Sequence, residues 1–167
     1  MQAAALMRVF TGVHERSIDQ KNRIQLPIQF RNLLDPESDG HGLYVTLGED
    51  RHTLLIFTER GFEELATRME TEFNPGPEAR RFELQFFSMA GHVELDGQGR
   101  FVLPDHLRKK ARLGDVVYLV GRKYRIEIWN KSEYERSLGI DWESDDWPEW
   151  QGYLRMRPAE RSAPRPS

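Results

Sequence analysis

Apolar and polar positions change their spacing several times along this chain, and each change marks an element. In Arg125-Ile-Glu-Ile-Trp129 apolar and charged residues alternate, the period of a half-buried strand. Leu43–Leu47, Thr53–Phe57 and Val116–Val120 are short β-branched or aromatic runs bounded by polar loops, and they also read as strands. Phe62, Leu65, Met69 and Phe73 recur at helical spacing, and Pro75-Gly76-Pro77 stops that helix. Glu78 to Phe87 reads as a further, bridging helix. Ahead of each strand pair stands a hairpin: a strand running into Ile18-Asp19 or Leu95-Asp96, a three-residue turn, then Arg23–Leu26 or Arg100–Leu103. Gly97 and Gly99 suit one turn, and Asn22 tolerates positive φ in the other. Pro27 and Pro104 stand where a short helix should begin and force the preceding residue to be extended. Phe30, Leu33 and Leu34 give the first of these helices an apolar stripe, and Leu107 and Ala111 the second.

The two hairpins are copies. Residues 14–34 moved by 77 positions fall on 91–111, where Asp19/Asp96, Arg23/Arg100, Leu26/Leu103, Pro27/Pro104 and Arg31/Arg108 are identical. Five identities compare with roughly one expected by chance. Ile18/Leu95, Ile24/Phe101 and Phe30/Leu107 keep apolar character, and with a slightly shorter offset Phe57 answers Trp129 and Phe62 answers Tyr134. The change of offset puts the length differences in loops. Each copy has too few apolar positions to bury alone, so the pair is expected to share one barrel-like core.

Composition narrows the function. The chain of 167 residues is 38% hydrophobic and 31% charged, an ordinary globular profile. It has no cysteine, which excludes disulfides, thiolate metal sites and cysteine nucleophiles. No apolar run is long enough to span a bilayer, and Met1–Met7 lacks the cationic start of a secretory signal, so a cytosolic protein is expected. His14, His41, His52, His92 and His106 show no metal-ligand spacing. Gly97-Gln-Gly99 lacks the third glycine of a dinucleotide cradle, and no Gly-x-Ser-x-Gly elbow occurs. Neither enzyme chemistry nor a cofactor or metal is expected. The net charge of −3 argues mildly against nucleic acid, but it is unevenly spread. Residues 139–150 hold five acids and no base, and leaving them out turns −3 into +2. Residues 92–112 hold five bases against three acids, so a local basic face is available.

The pattern Asp-x-x-x-Arg, three residues, Pro-x-x-apolar-Arg occurs twice, at Asp19–Arg31 and Asp96–Arg108. It resembles the AbrB/SpoVT-type swapped-hairpin DNA-binding unit. Two such units joined through Ala79-Arg-Arg-Phe82 and Phe86-Phe-Ser88, with Phe10-Thr-Gly12 before them and Arg125–Asn130 after, resemble the MraZ family over about residues 8–138. The resemblance implies an α+β, β-rich fold in which two swapped-hairpin repeats form one pseudo-two-fold β-barrel with short helices. The expected organisation is a first repeat at 8–65, bridging helices at 66–88, a second repeat at 89–138 and a tail at 139–167. It further implies a sequence-specific regulator of transcription, bound to short DNA repeats upstream of the cell-division and cell-wall operon holding its own gene. Such proteins assemble into ring-shaped homo-oligomers over the nucleoid. The chain departs from the family in carrying Asn22 where a glycine usually precedes the arginine, and in extending past residue 138.

Within the hairpins each candidate has two readings. Asp19 and Asp96 can satisfy the turn's own amides and pair with the arginine across it. Arg23, Arg100, Lys21 and Arg16 can meet a duplex groove or its phosphates, or be surface charge. Arg108-Lys-Lys-Ala-Arg112 reads first as a solvated helix face. Trp142, Trp147 and Trp150 in the acidic stretch suggest docking on a neighbour, and negative surroundings disfavour a membrane. Residues 155–167, with four arginines and three prolines, are expected to be disordered, a possible DNA-touching arm. A protein-binding or scaffold module of the same fold remains the alternative to a DNA-binding regulator.

Overall fold

The computed structural model describes residues 8–72 and 74–138, with 143 and 145. The expectations for Phe73, the three clustered tryptophans and the Arg/Pro tail lie outside the described residues. The elements run β1 (Val13–Ser17), β2 (Arg23–Gln25), α1 (Ile28–Arg31), α2 (Pro36–Asp39), β3 (Gly42–Leu47), β4 (Thr53–Thr58) and α3 (Glu59–Glu72). They continue with α4 (Pro77–Met89), β5 (Gly91–Glu94), β6 (Arg100–Val102), α5 (Asp105–Lys110), β7 (Val116–Arg122), β8 (Arg125–Asn130) and α6 (Lys131–Leu138). The fold is therefore mixed α+β and strand-rich.

Six strands form one antiparallel sheet in the order β1-β7-β8-β4-β3-β5, and β2 pairs with β6 in a separate two-stranded ribbon. The order reads the same when each strand is exchanged for its counterpart 72–77 positions away. Neither hairpin pairs with itself. β1 lies on β7, with Val13 opposite Val120, and β5 lies on β3, with Leu43 opposite Val93. The central pairing, β4 on β8, also crosses between the halves.

The expected barrel is corrected by this pairing. After each turn the chain leaves the sheet, so β2 and β6 bond to one another and cover the core instead of joining the sheet edges. Among the described residues β1 and β5 stay at the two ends of an open sheet. One core lies beneath the ribbon, built from both halves: Ile24, Leu26, Phe30, Leu54 and Ile56 meet Phe101, Leu103, Leu107, Leu119 and Ile128. On the opposite face of β4, Leu55 and Phe57 pack with Phe62, Met69 and Phe86 of α3 and α4. β4 is thus buried on both faces, which is why its six residues read as a run without alternation.

Pro27 and Pro104 sit one residue earlier than the pattern suggested. They are the cap residues, with extended ψ of 142° and 130°, and α1 and α5 begin just after them. Leu33 and Leu34 follow α1 in a turn but still pack on the core. α6 was not signalled by apolar spacing. Asn130 starts it by accepting from the Ser132 and Glu133 amides, as the Thr58 hydroxyl accepts from Gly61 at the start of α3.

Candidate nucleic-acid interface

Each hairpin turn is a closed unit organised by one carboxylate. In turn 1, Asp19 Oδ1 accepts from the backbone N–H of Lys21 (2.9 Å) and of Arg23 (2.8 Å), and Oδ2 accepts from Arg23 Nε at 2.6 Å. In turn 2, Asp96 Oδ1 accepts from Gln98 N and Arg100 N, both at 2.9 Å, and Oδ2 from Arg100 Nε at 2.9 Å. The backbone closes alike, Asn22 N on Asp19 O and Gly99 N on Asp96 O. Both closing residues have left-handed backbones, φ 59° at Asn22 and 75° at Gly99. Asparagine and glycine are the residues that tolerate this region. The arginine amide donating to each carboxylate holds Asp19 and Asp96 below the usual aspartate range, against a smaller desolvation, with the arginine side chain and one further turn amide adding to it.

The ribbon then sets the two arginines side by side. Arg23 is opposite Val102, Ile24 opposite Phe101, and Gln25 opposite Arg100. Ile24 and Phe101 point into the core and are fully buried, so strand alternation sends Arg23, Gln25, Arg100 and Val102 to the other face. The two arginines lie about 7 Å apart along the ribbon, two residue steps. Only Nε of each is engaged by its aspartate; the described residues offer their terminal nitrogens no partner. A two-stranded ribbon is narrow enough for a major groove, and the outward set contains side-chain types that can read bases there: Arg for guanine, an apolar group for the thymine methyl, and Gln for adenine, although Gln25 Nε2 here donates to the Gln98 carbonyl at 3.2 Å.

Among the residues singled out in the sequence, Lys21 is exposed at the tip of turn 1, beside Arg23. Arg16 is not brought into this group. It lies on β1 opposite Val117, and its Nη1 donates to the Glu15 carbonyl at 2.7 Å. Gln25 and Val102 were missed, although Val102 keeps 55% of its surface exposed, unusual for valine in a short strand. Alternation around Ile24 and Phe101 was the signal that could have found them. The basic run Arg108–Arg112 splits. Lys109 pairs with Asp105 on its own helix, whereas Arg108 is half-buried and bonds Asn22 of turn 1 and Asp115.

Among the described residues no cluster of three or more His, Asp or Glu could hold a metal ion, and no helix is long and apolar enough to cross a membrane. Residues 86–141 match the family described as "MraZ protein, putative antitoxin-like". The chain is 34% identical over 140 residues to the transcriptional regulator MraZ of Coxiella burnetii (strain Dugway 5J108-111), spanning 84% of this chain and 91% of that protein. It is 35% identical over 128 residues to the transcriptional regulator MraZ of Methylococcus capsulatus, 77% of this chain and 83% of that one. With the transcriptional regulator MraZ of Moorella thermoacetica it shares 36% identity over 127 residues, 76% and 85% of the two chains.

Proposed function

The chain belongs to the MraZ family, and from that premise we propose that it is a sequence-specific DNA-binding regulator of transcription and not an enzyme. The observation that carries the reading is the outward face of the β2/β6 ribbon, where two arginines, each oriented by its own aspartate, flank a glutamine and a valine. Each half is taken as an AbrB/SpoVT-like swapped-hairpin unit, and the strand exchange between halves supports that assignment. Arg23 and Arg100 reach base edges or phosphate, Lys21 adds positive charge beside them, Arg16 on β1 stands apart from the ribbon, and Asp19 and Asp96 orient rather than bind, since a carboxylate repels phosphate. The target is a set of short repeats upstream of the cell-division and cell-wall operon containing the protein's own gene. The protein works in the cytoplasm, over the nucleoid, as a ring-shaped homo-oligomer.

The test is a gel shift comparing duplex carrying the native upstream repeats with a scrambled duplex, across a range of salt. Tighter binding to the repeats and a steep loss with salt are expected. Equal affinity for the two at moderate salt would remove sequence readout. It would favour the protein-binding module, for which the exposed Val102 is then the docking residue.

A further inference from the structure

The two turns meet the same backbone requirement with different residues, and the difference reaches across the molecule. Asn22 uses its side chain. Its Oδ1 accepts from Arg108 Nη1 at 2.5 Å, and Arg108 Nη2 is itself held by Asp115 at 3.0 Å. Arg108 belongs to α5, 86 positions away in the other half. Arg108 is only 20% exposed, which places this contact partly out of water, where it is less screened. Gly99, the counterpart of Asn22, has no side chain to give. A Cβ there would come within 2.4 Å of Arg31 Cδ, because Arg31, the counterpart of Arg108, lies over the glycine. Among the described residues Arg31 reaches turn 2 by a long 3.4 Å bond to the Gln98 carbonyl, and its buried Nε has no partner there.

We propose that Asn22 is a latch that fixes turn 1 to α5, so that Arg23 is presented in one geometry, while turn 2, with a glycine at the matching position, is tied to the other half by the longer side-chain bonds of Gln25 (3.2 Å) and Arg31 (3.4 Å) to the Gln98 carbonyl and keeps freedom to adjust. Asn22 and Arg108 are then positioning residues for Arg23. The consequence for DNA, which rests on the regulator reading above, is that the pseudo-symmetric ribbon reads its site unequally. Turn 1 sets register, and turn 2 accommodates.

Backbone amide exchange in the intact protein tests the latch without DNA. In the native chain the Lys21 and Arg23 amides should exchange more slowly than their counterparts Gln98 and Arg100. Asn22→Gly keeps a residue suited to the positive φ and removes only the side chain. It should speed exchange at Lys21 and Arg23 roughly 3- to 10-fold and leave Gln98 and Arg100 unchanged. Arg108→Gln should do the same, and the double variant should add nothing beyond either single change. Arg108→Lys, a single-point donor, should restore only part of the protection. Equal effects on both turns, additive effects of the two substitutions, or no effect would each overturn the latch. Should Arg108→Gln fail to fold, Asn22→Gly alone decides through its confinement to turn 1. In the DNA arm, Asn22→Gly should weaken binding to the native repeats roughly 3- to 10-fold and leave scrambled duplex unaffected. If the native protein does not distinguish the two duplexes, the regulator reading falls while the exchange result still judges the latch.

Discussion

Arg23 and Arg100 each engage their aspartate through Nε and lie on the outward face of the ribbon, so removing either is expected to act on binding far more than on folding. Arg23→Ala and Arg100→Ala are each expected to weaken binding to repeat DNA by about tenfold or more, with stability changed by no more than about 0.5 kcal/mol. Calorimetric melting beside a titration checks this; a sharp fall in melting with unchanged affinity per folded molecule would assign the arginines to the fold alone. Acid should affect the turns in a defined direction. Asp19 and Asp96 titrate below the usual aspartate range in the folded chain, so their contribution is complete above about pH 4 and is lost as pH falls through the lowered values. The Lys21 and Gln98 amide resonances should therefore stay constant from pH 8 to about 5 and move only in stronger acid. A midpoint above about pH 4 would contradict the bonding described. The repeated Asp and Arg were legible as a pair because their spacing is the turn itself. The role of Arg108 was not, because its partner Asn22 is 86 positions away and charge runs carry no record of long-range contacts.

At the scale of elements, strand positions and types followed from alternation and from the internal repeat, since both are local. Pairing partners did not. Nothing in Val13–Ser17 says that it lies on Val116–Val120, and a closed barrel is the simplest expectation for two halves that cannot bury themselves. α6 leaves no periodic signal in the sequence because only Tyr134 in it is buried, too few apolar positions to set a helical period. The exchange of strands makes a thermodynamic demand. Ile24 and Phe101 come from different halves and face each other under the ribbon, so Phe101→Ala should cost about 3–5 kcal/mol. That loss should lower a single unfolding transition shared by both halves. Urea denaturation followed by tryptophan fluorescence and by far-ultraviolet circular dichroism should give coincident curves. Two separated transitions would mean that each half holds a core of its own. By the same reasoning, a fragment of residues 89–138 leaves β5 and β6 without the strands they bond, and it should show the narrow amide dispersion of an unfolded chain.

The whole molecule carries a net charge of −3, so long-range attraction does little to bring it to a polyanion, and the proposed DNA-binding role then requires a small face presented several times, as in the proposed ring. One ribbon three residue pairs long offers contact to only a few bases. A single subunit should bind poorly on that account. In a ring of subunits, once one ribbon is seated its neighbour meets the next repeat at high effective concentration, which raises affinity by about 10²–10⁴ without any new kind of contact. The gain depends on geometry. Repeats spaced in phase with the helix present the same groove to adjacent ribbons, whereas an added half turn rotates the second repeat to the far side of the duplex. Reaching it then requires the ring or the DNA to bend, at a cost of several kcal/mol by elastic estimates. Affinity should therefore climb steeply from one repeat to two and three, and should fall back toward the single-repeat value when half a helical turn is inserted between two. Titrations of fluorescent duplexes at fixed salt measure both. Affinity indifferent to repeat number and to phasing would mean that subunits bind independently, and the ribbon itself would then have to supply the whole of the specificity.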